Sequence, residues 1–373
     1  MGYQTNKFLR EIGFADTKGK DVFAFMANRV GHNLARRLDV LIDKLGDDVS
    51  YLREFYDTKN SSLATSLAVS NATEYEYFVH ALEYLEENVD EIGDNVLFIG
   101  CDCGIEPCFL ARLKPDATIT AIDITEAAIN NGRELAKRLG VNVNFQCVSY
   151  QDVKGVFDTI ISFRFAHEVV SDTVSSRHLF DSFQKQREIS LEELLPLAHT
   201  IGNLLSDYGV LMALERFFGI RQLAWMDALN SNGVETIALE KVKGSNGEKF
   251  ALTFAQKCPQ DQPHEEIWFE YYSQGCDYSA PQFTGIQSQI FVSKEAGQLI
   301  RGYYAMKNDM QYGKVALYKD ATDDTALIYE VSNFKDLQSY VLDISQLDEA
   351  LQQIEEHAKM IGKSGLELVS IEK

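Results

Sequence analysis

The sequence predicts an α/β fold: a doubly wound parallel sheet, preceded by a helical region and followed by a small α+β domain. Three observations predict it. Asn95–Thr125 reads as strand, glycine loop, helix, strand and acid. Residues 1–92 carry helical periodicity and no strand signal. Residues 290–373 change to period-two strands closed by a helix.

The central stretch is NVLFIGCDCGIEPCFLARLKPDATITAIDIT. Val96–Ile99 is a continuous apolar run, as a buried parallel strand requires. Gly100 and Gly104 follow, and glycine lets a loop turn sharply and bring its N–H groups close to a ligand. Pro107 is suited to a first helical turn, so the helix is expected to start there. A second apolar strand, Ile119–Ile122, ends in Asp123, an acid placed to take both hydroxyls of a ribose. The dinucleotide spacing GxGxxG fails, because Asp102 and Ile105 stand where its second and third glycines belong.

The same residues resemble the class I S-adenosylmethionine (SAM) methyltransferases. That pattern, acid-x-Gly-x-Gly-x-Gly, places Phe98, Gly100, Asp102 and Gly104 in its four positions, and AIDITEAAINNGRELAKRLGVNVNFQ continues the likeness. The resemblance runs from Asn95 to Lys257 and implies a seven-stranded methyltransferase-type sheet with SAM as cofactor. It implies that Gly100, Cys101, Asp102 and Gly104 border the cofactor and that Asp123 holds the ribose. Ser149 and Gln151 would meet the adenine amino group, with Tyr150 and Ile124 flanking the ring. The fourth strand, Phe157–Phe163, would end at Phe163 facing the methyl group. The chain departs from the pattern at Phe98, where the family has its first acid. Asp102 replaces a glycine, and its carboxylate is expected to reach the methionine ammonium instead.

Ligands lie outside the carboxyl ends of strands in such sheets, so residues after Phe163 and after Leu214 should border the acceptor. His167 is a candidate general base, with Glu168 beside it. Arg216 is a candidate for holding an anionic acceptor, or for pairing with Glu215 or a neighbouring acid. The bland alternative for His167 is packing of the helix that follows it. Ser171–Ile189 reads as a lid or insertion. Ser190-Leu-Glu-Glu193 reads as a capping box that opens a helix to Leu205. Gly140 should cap the helix Glu126–Leu139. Asn246–Gly247 marks a hairpin between Thr236–Val242 and Lys249–Gln256.

Upstream, Val22–Leu45 reads as one amphipathic helix, Asp48–Tyr56 as a shorter one and Glu74–Val89 as another. In the family resembled, such a region packs over the cofactor cleft; a dimerisation bundle, and with it a homodimer, is the other reading. Residues 93–257 form the expected cofactor domain. Residues 258–289, rich in Pro, Gln and aromatics, read as a linker or arm with an exposed aromatic patch. Residues 290–373 form the α+β domain.

Composition narrows the function classes. The net charge of −21 argues against nucleic acid as a partner. No apolar run reaches the about 18 residues of a membrane span, and MGYQTNKFLREIGFAD lacks the apolar core of a secretory signal, so a cytoplasmic protein is expected. The six cysteines, four of them in or near the glycine loop, read as reduced thiols; Cys101, Cys103 and Cys108 lack zinc-site spacing, so no metal is expected. The function expected is methyl transfer to a small-molecule acceptor. The alternatives are a non-catalytic scaffold of the same fold, or an enzyme of that fold acting on a protein side chain.

Overall fold

The computed structural model describes residues 2–45, 51–169, 183–217, 219–243, 249–257, 264–273, 282–333 and 337–371. The chain divides into two units. One comprises residues 1–169, 194–218 and 226–264; the other comprises 170–193, 219–225 and 265–373.

In the first unit, α1 (Tyr3–Glu11), α2 (Val22–Val30), α3 (His32–Leu45), α4 (Leu52–Lys59) and α5 (Leu63–Glu87) precede the sheet. The single helix expected over Val22–Leu45 is two, because Gly31 takes φ 86° and breaks the ladder between α2 and α3. The helix expected from Glu74 starts earlier, at Leu63, and runs as one helix, α5, kinked at Glu74 (φ −138°, ψ 20°). The helix expected over Asp48–Tyr56 lies at Leu52–Lys59; residues 46–50 fall outside the described ones.

The strands and helices that follow are β1 (Asn95–Ile99), α6 (Ile105–Leu113), β2 (Thr118–Asp123), α7 (Glu126–Leu139), β3 (Asn144–Cys147), β4 (Phe157–Phe163), α8 (Ala166–Val169), α9 (Phe183–Leu204), β5 (Leu205–Glu215), α10 (Ile220–Asn230), β6 (Val234–Lys243) and β7 (Lys249–Lys257). The sheet order is β3-β2-β1-β4-β5-β7-β6. β1 pairs in parallel with β2 and β4, and β7 runs antiparallel between β5 and β6. This is the seven-stranded, methyltransferase-type sheet.

Three boundary expectations change. α6 starts at Ile105 rather than Pro107, because Gly104 at φ 78° already turns the chain into the helix; Pro107 is its third residue. α9 runs through Ser190, which is 7 % exposed, so the capping box expected there does not open a helix. The hairpin turn at Gly244–Gly247 and the start of the expected lid, 171–182, lie outside the described residues.

The core of this unit joins Val96, Phe98, Ile119, Ala121, Ile161 and Met212 of the sheet to Phe109 and Leu110 of α6 and Leu82 and Leu85 of α5. Burial of each such Leu, Ile or Phe contributes about 1.5–3 kcal/mol. Phe98 is 3 % exposed, so its departure from the family acid is a packing choice. α5 packs on α1, α6 and α7, which ties the N-terminal helices to the sheet.

In the second unit, α11 (His264–Ser273), β8 (Gln282–Thr284), α12 (Gly285–Glu295), β9 (Ala296–Lys307), β10 (Met310–Asp320), β11 (Ala326–Asn333), β12 (Leu337–Asp343), α13 (Leu347–Lys363) and β13 (Glu367–Ser370) follow in order. Their antiparallel sheet runs β13-β9-β10-β11-β12-β8. Ala350 and Ile354 of α13 pack on Val315, Leu317, Leu327 and Tyr329. Much of the expected linker is ordered: β8 pairs with β12, and α11 buries Trp268, Tyr271 and Tyr272, with Trp268 Nε1 donating to the Gly219 carbonyl at 2.8 Å. The aromatic patch expected to be exposed is therefore interior at these three positions. No helix among the described residues is long and apolar enough to cross a membrane.

Candidate functional site

The glycine loop leaves β1 with three residues in the left-handed region: Gly100 (φ 71°), Asp102 (φ 44°) and Gly104 (φ 78°). A Cβ on Gly104 would stand 2.6 Å from the Phe145 ring, and one on Gly100 would stand 2.5 Å from Phe165, so both positions also need glycine sterically. The loop closes on β2: the N–H groups of Gly100 and Cys101 donate to the Ile122 carbonyl at 2.9 and 3.0 Å. Asp123 lies beside it. Its Oδ2 accepts from the Asp102 N–H at 3.1 Å and its Oδ1 from the Thr125 N–H at 2.8 Å. Burial pushes the Asp123 carboxyl up, against the pull of these two N–H groups.

Asp102 does not extend its carboxylate freely, as expected from sequence. Lys59 Nζ, from the end of α4, sits 2.7 Å from Oδ2, and Asn60 Nδ2 donates to Oδ1 at 3.0 Å. Burial favours the neutral acid, but Lys59 and Asn60 outweigh it and hold the carboxyl below its usual range. Asn60 in turn accepts from Ser66 Oγ at 2.8 Å, and Asn131 Nδ2 of α7 donates to Ser66 Oγ at 2.9 Å and to the Asn60 carbonyl at 3.0 Å. The N-terminal helices are thus bolted onto the glycine loop by polar contacts. The Tyr56 hydroxyl, also on α4, donates to Glu168. Burial raises the Glu168 carboxyl, against that hydrogen bond and the nearby His167 and Lys59.

Beyond β4, Glu215 at the end of β5 is 1 % exposed and gathers the start of α8. Its Oε1 accepts from Ser162 Oγ at 3.2 Å and from the N–H groups of Phe165 and Ala166 at 3.2 and 2.9 Å. Its Oε2 accepts from the His167 N–H at 3.3 Å and lies 3.0 Å from His167 Nδ1. A carboxylate oxygen accepts, so in the neutral ring this contact favours the proton on Nδ1 and leaves the lone pair on Nε2. The helix-packing and base readings of His167 are therefore compatible: one carboxylate caps α8 and orients the imidazole.

The structure gathers most of the residues singled out from sequence. Gly100, Cys101, Asp102, Gly104 and Asp123 meet at the carboxyl ends of β1 and β2. Tyr150 stands edge-on to Phe165, centroids 5.7 Å apart, and Gln151 Nε2 lies 3.4 Å from the Tyr150 hydroxyl. Ser149 Oγ accepts from the Gln151 N–H at 3.3 Å, which caps the turn Tyr150–Asp152. Ile124 is 74 % exposed, a large apolar side chain left open beside Asp123. Two of the expected side chains are withdrawn into the core. Phe163 is 7 % exposed and belongs to the core, so it has only backbone to offer the site, and the Cys101 side chain is likewise buried. Arg216 pairs with a neighbouring acid, one of the partners expected for it: it lies 3.8 Å from Glu74. Sequence reasoning missed Tyr56, Lys59, Asn60 and Glu74, which no motif marks and which only folding brings to the loop.

Residues 90–215 match a family model described as a methyltransferase domain. The match is confined to this segment. The chain is 32% identical over 111 residues to the mitochondrial ubiquinone biosynthesis O-methyltransferase of Saccharomyces cerevisiae, covering 29% of this chain and 36% of that one. It is 33% identical over 73 residues to the ubiquinone biosynthesis O-methyltransferase of Coxiella burnetii, covering 20% and 29%. The chain therefore spans at most 36% of the length of these curated relatives. Among solved structures it is similar to N-methyltransferase NodS of Bradyrhizobium japonicum with S-adenosyl-L-homocysteine (16% identity, 51% of this chain and 91% of that one, TM-score 0.39). It is also similar to magnesium protoporphyrin IX methyltransferase of Synechocystis with bound SAM (15% identity, 65% and 100%, TM-score 0.38). The strand order, not these likenesses, establishes the architecture of the first unit.

One buried acid of the matched segment gives a pH test. Glu106, in the first turn of α6, accepts from the Tyr77 hydroxyl at 3.1 Å, and burial pushes its carboxyl from 4.5 up to about 7. A raised acid binds its proton more tightly in the folded state. Its contribution is complete below 4.5 and is lost as pH rises towards 7. Urea unfolding from pH 5 to 8 should show roughly 2–3 kcal/mol of decline that Glu106→Gln removes. Parallel curves for the two proteins would contradict this.

Proposed function

We propose that this protein is a SAM-dependent methyltransferase acting on an oxygen of a small-molecule acceptor. The observation that carries the reading is the pairing of a left-handed glycine loop with Asp123, one βα step later, at the carboxyl edge of a β3-β2-β1-β4-β5-β7-β6 sheet. The matched methyltransferase domain and the O-methyltransferase names of the relatives support it.

The donor set fits an adenosine with an amino-acid tail. Asp123 retains lone pairs for the ribose hydroxyls after serving two N–H groups. Tyr150 and Ile124 offer surface for the adenine, and Ser149 and Gln151 offer polar atoms for its edge. Asp102 and Lys59 together match the two charges of an α-amino acid. When bound, SAM supplies a methyl group made electrophilic by its sulfonium. The protein's remaining work is alignment, which can supply about 7–11 kcal/mol, and removal of the acceptor's hydroxyl proton. His167 Nε2 takes that proton, and Glu215 stabilises the imidazolium that results. Glu168, held by Tyr56, stands next to it on the acceptor side.

Calorimetric titration with S-adenosylhomocysteine tests the reading. Saturable binding is expected, with added stability of about 2.7 kcal/mol at a hundred times the dissociation constant. Asp123→Ala should weaken it by about a hundredfold or more, because two hydrogen bonds to a charged group, worth about 1.5–3 kcal/mol each, are lost. Absence of binding by either SAM or its demethylated product would end the proposal.

A further inference from the structure

The acceptor side holds a charge cluster that the reading above does not use. Arg164 is the first residue after β4 and Arg216 the first after β5. These strands are parallel neighbours, and the Arg164 N–H donates to the Leu214 carbonyl at 2.7 Å. Both arginines therefore start from the same carboxyl edge, where ligands of such sheets lie. Both side chains turn to one carboxylate, Glu74, at the kink of α5.

The two arginines are not equivalent. Arg164 is seated: its side chain is 13 % exposed, it is ion-paired with Glu74, and its guanidinium lies 4.7 Å from the Tyr77 ring centroid. Its backbone takes φ 58°, a left-handed conformation that a non-glycine residue adopts at a cost. Arg216 is 48 % exposed and 3.8 Å from Glu74, at the outer limit of an ion pair. Among the described residues Glu74 is the only carboxylate ion-paired with Arg216, and Arg164 holds that carboxylate more closely, so the charge of Arg216 is only partly met there. That partly met cation stands at the substrate edge of a chain whose net charge is −21.

We propose that Arg216 is the anion-recognition group of the acceptor site, and that the acceptor is a small molecule bearing a carboxylate. The proposal rests on the methyltransferase reading and deepens it. A planar guanidinium meets a carboxylate through two parallel hydrogen bonds, which fixes orientation as well as affinity. A single negative charge matches the single, partly met positive one. A doubly charged phosphate would be left under-compensated beside Glu74. Arg164 acts as a positioning residue: by holding Glu74 it keeps that carboxylate from claiming Arg216.

Calorimetric titration of the full chain, saturated with S-adenosylhomocysteine, with benzoate and with its uncharged isostere benzamide decides the matter. Benzoate is expected to bind at least about tenfold more tightly, the equivalent of a 1.4 kcal/mol difference, and the preference should shrink as salt rises. Arg216→Gln should abolish the preference without changing benzamide or S-adenosylhomocysteine affinity, and Arg216→Lys should restore part of it. Equal binding of acid and amide, no binding of either, or a preference that survives Arg216→Gln overturns the proposal. Inorganic phosphate binding as tightly as benzoate overturns the carboxylate assignment. If S-adenosylhomocysteine itself does not bind, the cofactor reading fails, and the acid–amide comparison without it still judges the anion site.

Discussion

Lys59→Met is expected to destabilise the protein by about 3–5 kcal/mol, because it leaves a largely buried carboxylate without its cation. Asp102 has Lys59 at 2.7 Å and Asn60 at 3.0 Å, with side chains only 28% and 9% exposed at Asp102 and Lys59. Burial works against the Lys59 ammonium too, but Asp102 and Glu74 outweigh it and raise its pKa. Denaturant unfolding at neutral pH measures the effect. The double variant Lys59→Met/Asp102→Asn should recover most of the loss, since no charge is then stranded. The sign of the pH dependence follows from the lowered Asp102 pKa. Its stabilisation is present above the unfolded value of 3.8 and disappears as pH falls through the lower folded value. Wild type and Lys59→Met should therefore converge in stability in acid. A loss under about 1 kcal/mol at pH 7 would show that water, not Lys59, solvates Asp102.

His167→Ala is expected to lower kcat by about 10²–10⁴, the range for loss of a general base, with cofactor affinity unchanged. Glu215→Gln is the sharper variant. Its amide oxygen can still accept from Ser162, Phe165 and Ala166, so α8 keeps most of its cap, although the His167 N–H loses its acceptor. Its NH₂ would face His167 Nδ1 and force the proton to Nε2, which removes the lone pair that takes the acceptor's proton. Turnover should fall nearly as far as in His167→Ala while the fold is retained. A His167→Ala enzyme within about threefold of wild type would remove His167 from the chemistry and leave it as a helix-packing residue.

The strands around the glycine loop were legible because β1, β2 and β4 carry apolar runs bounded by polar turns. Phe157–Phe163 and Ile220–Asn230 fall where the pattern places them. Helix ends were less legible. Gly31 divides a continuous apolar stripe, and Gly104 starts α6 two residues before Pro107, because a left-handed backbone at one residue overrides periodicity spread over many. The aromatic stretch around Trp268 reads the same in a linker as in a buried helix, since composition alone does not say what covers it.

By itself, the sequence determined the βαβ unit, the position of Asp123 at its end, and the candidates His167, Glu168 and Arg216 at the carboxyl edge. These follow from local rules: strand and helix periods, glycine at turns, and an acid one step along. Only the tertiary structure decided the partners of those residues. Lys59 and Asn60 come to Asp102 from more than forty positions upstream, Tyr56 to Glu168, Glu74 to the two arginines, and Glu215 to His167. The physical reason is that a buried charge must find a counter-charge wherever the packed helices bring one, and that choice leaves no spacing in the chain to read.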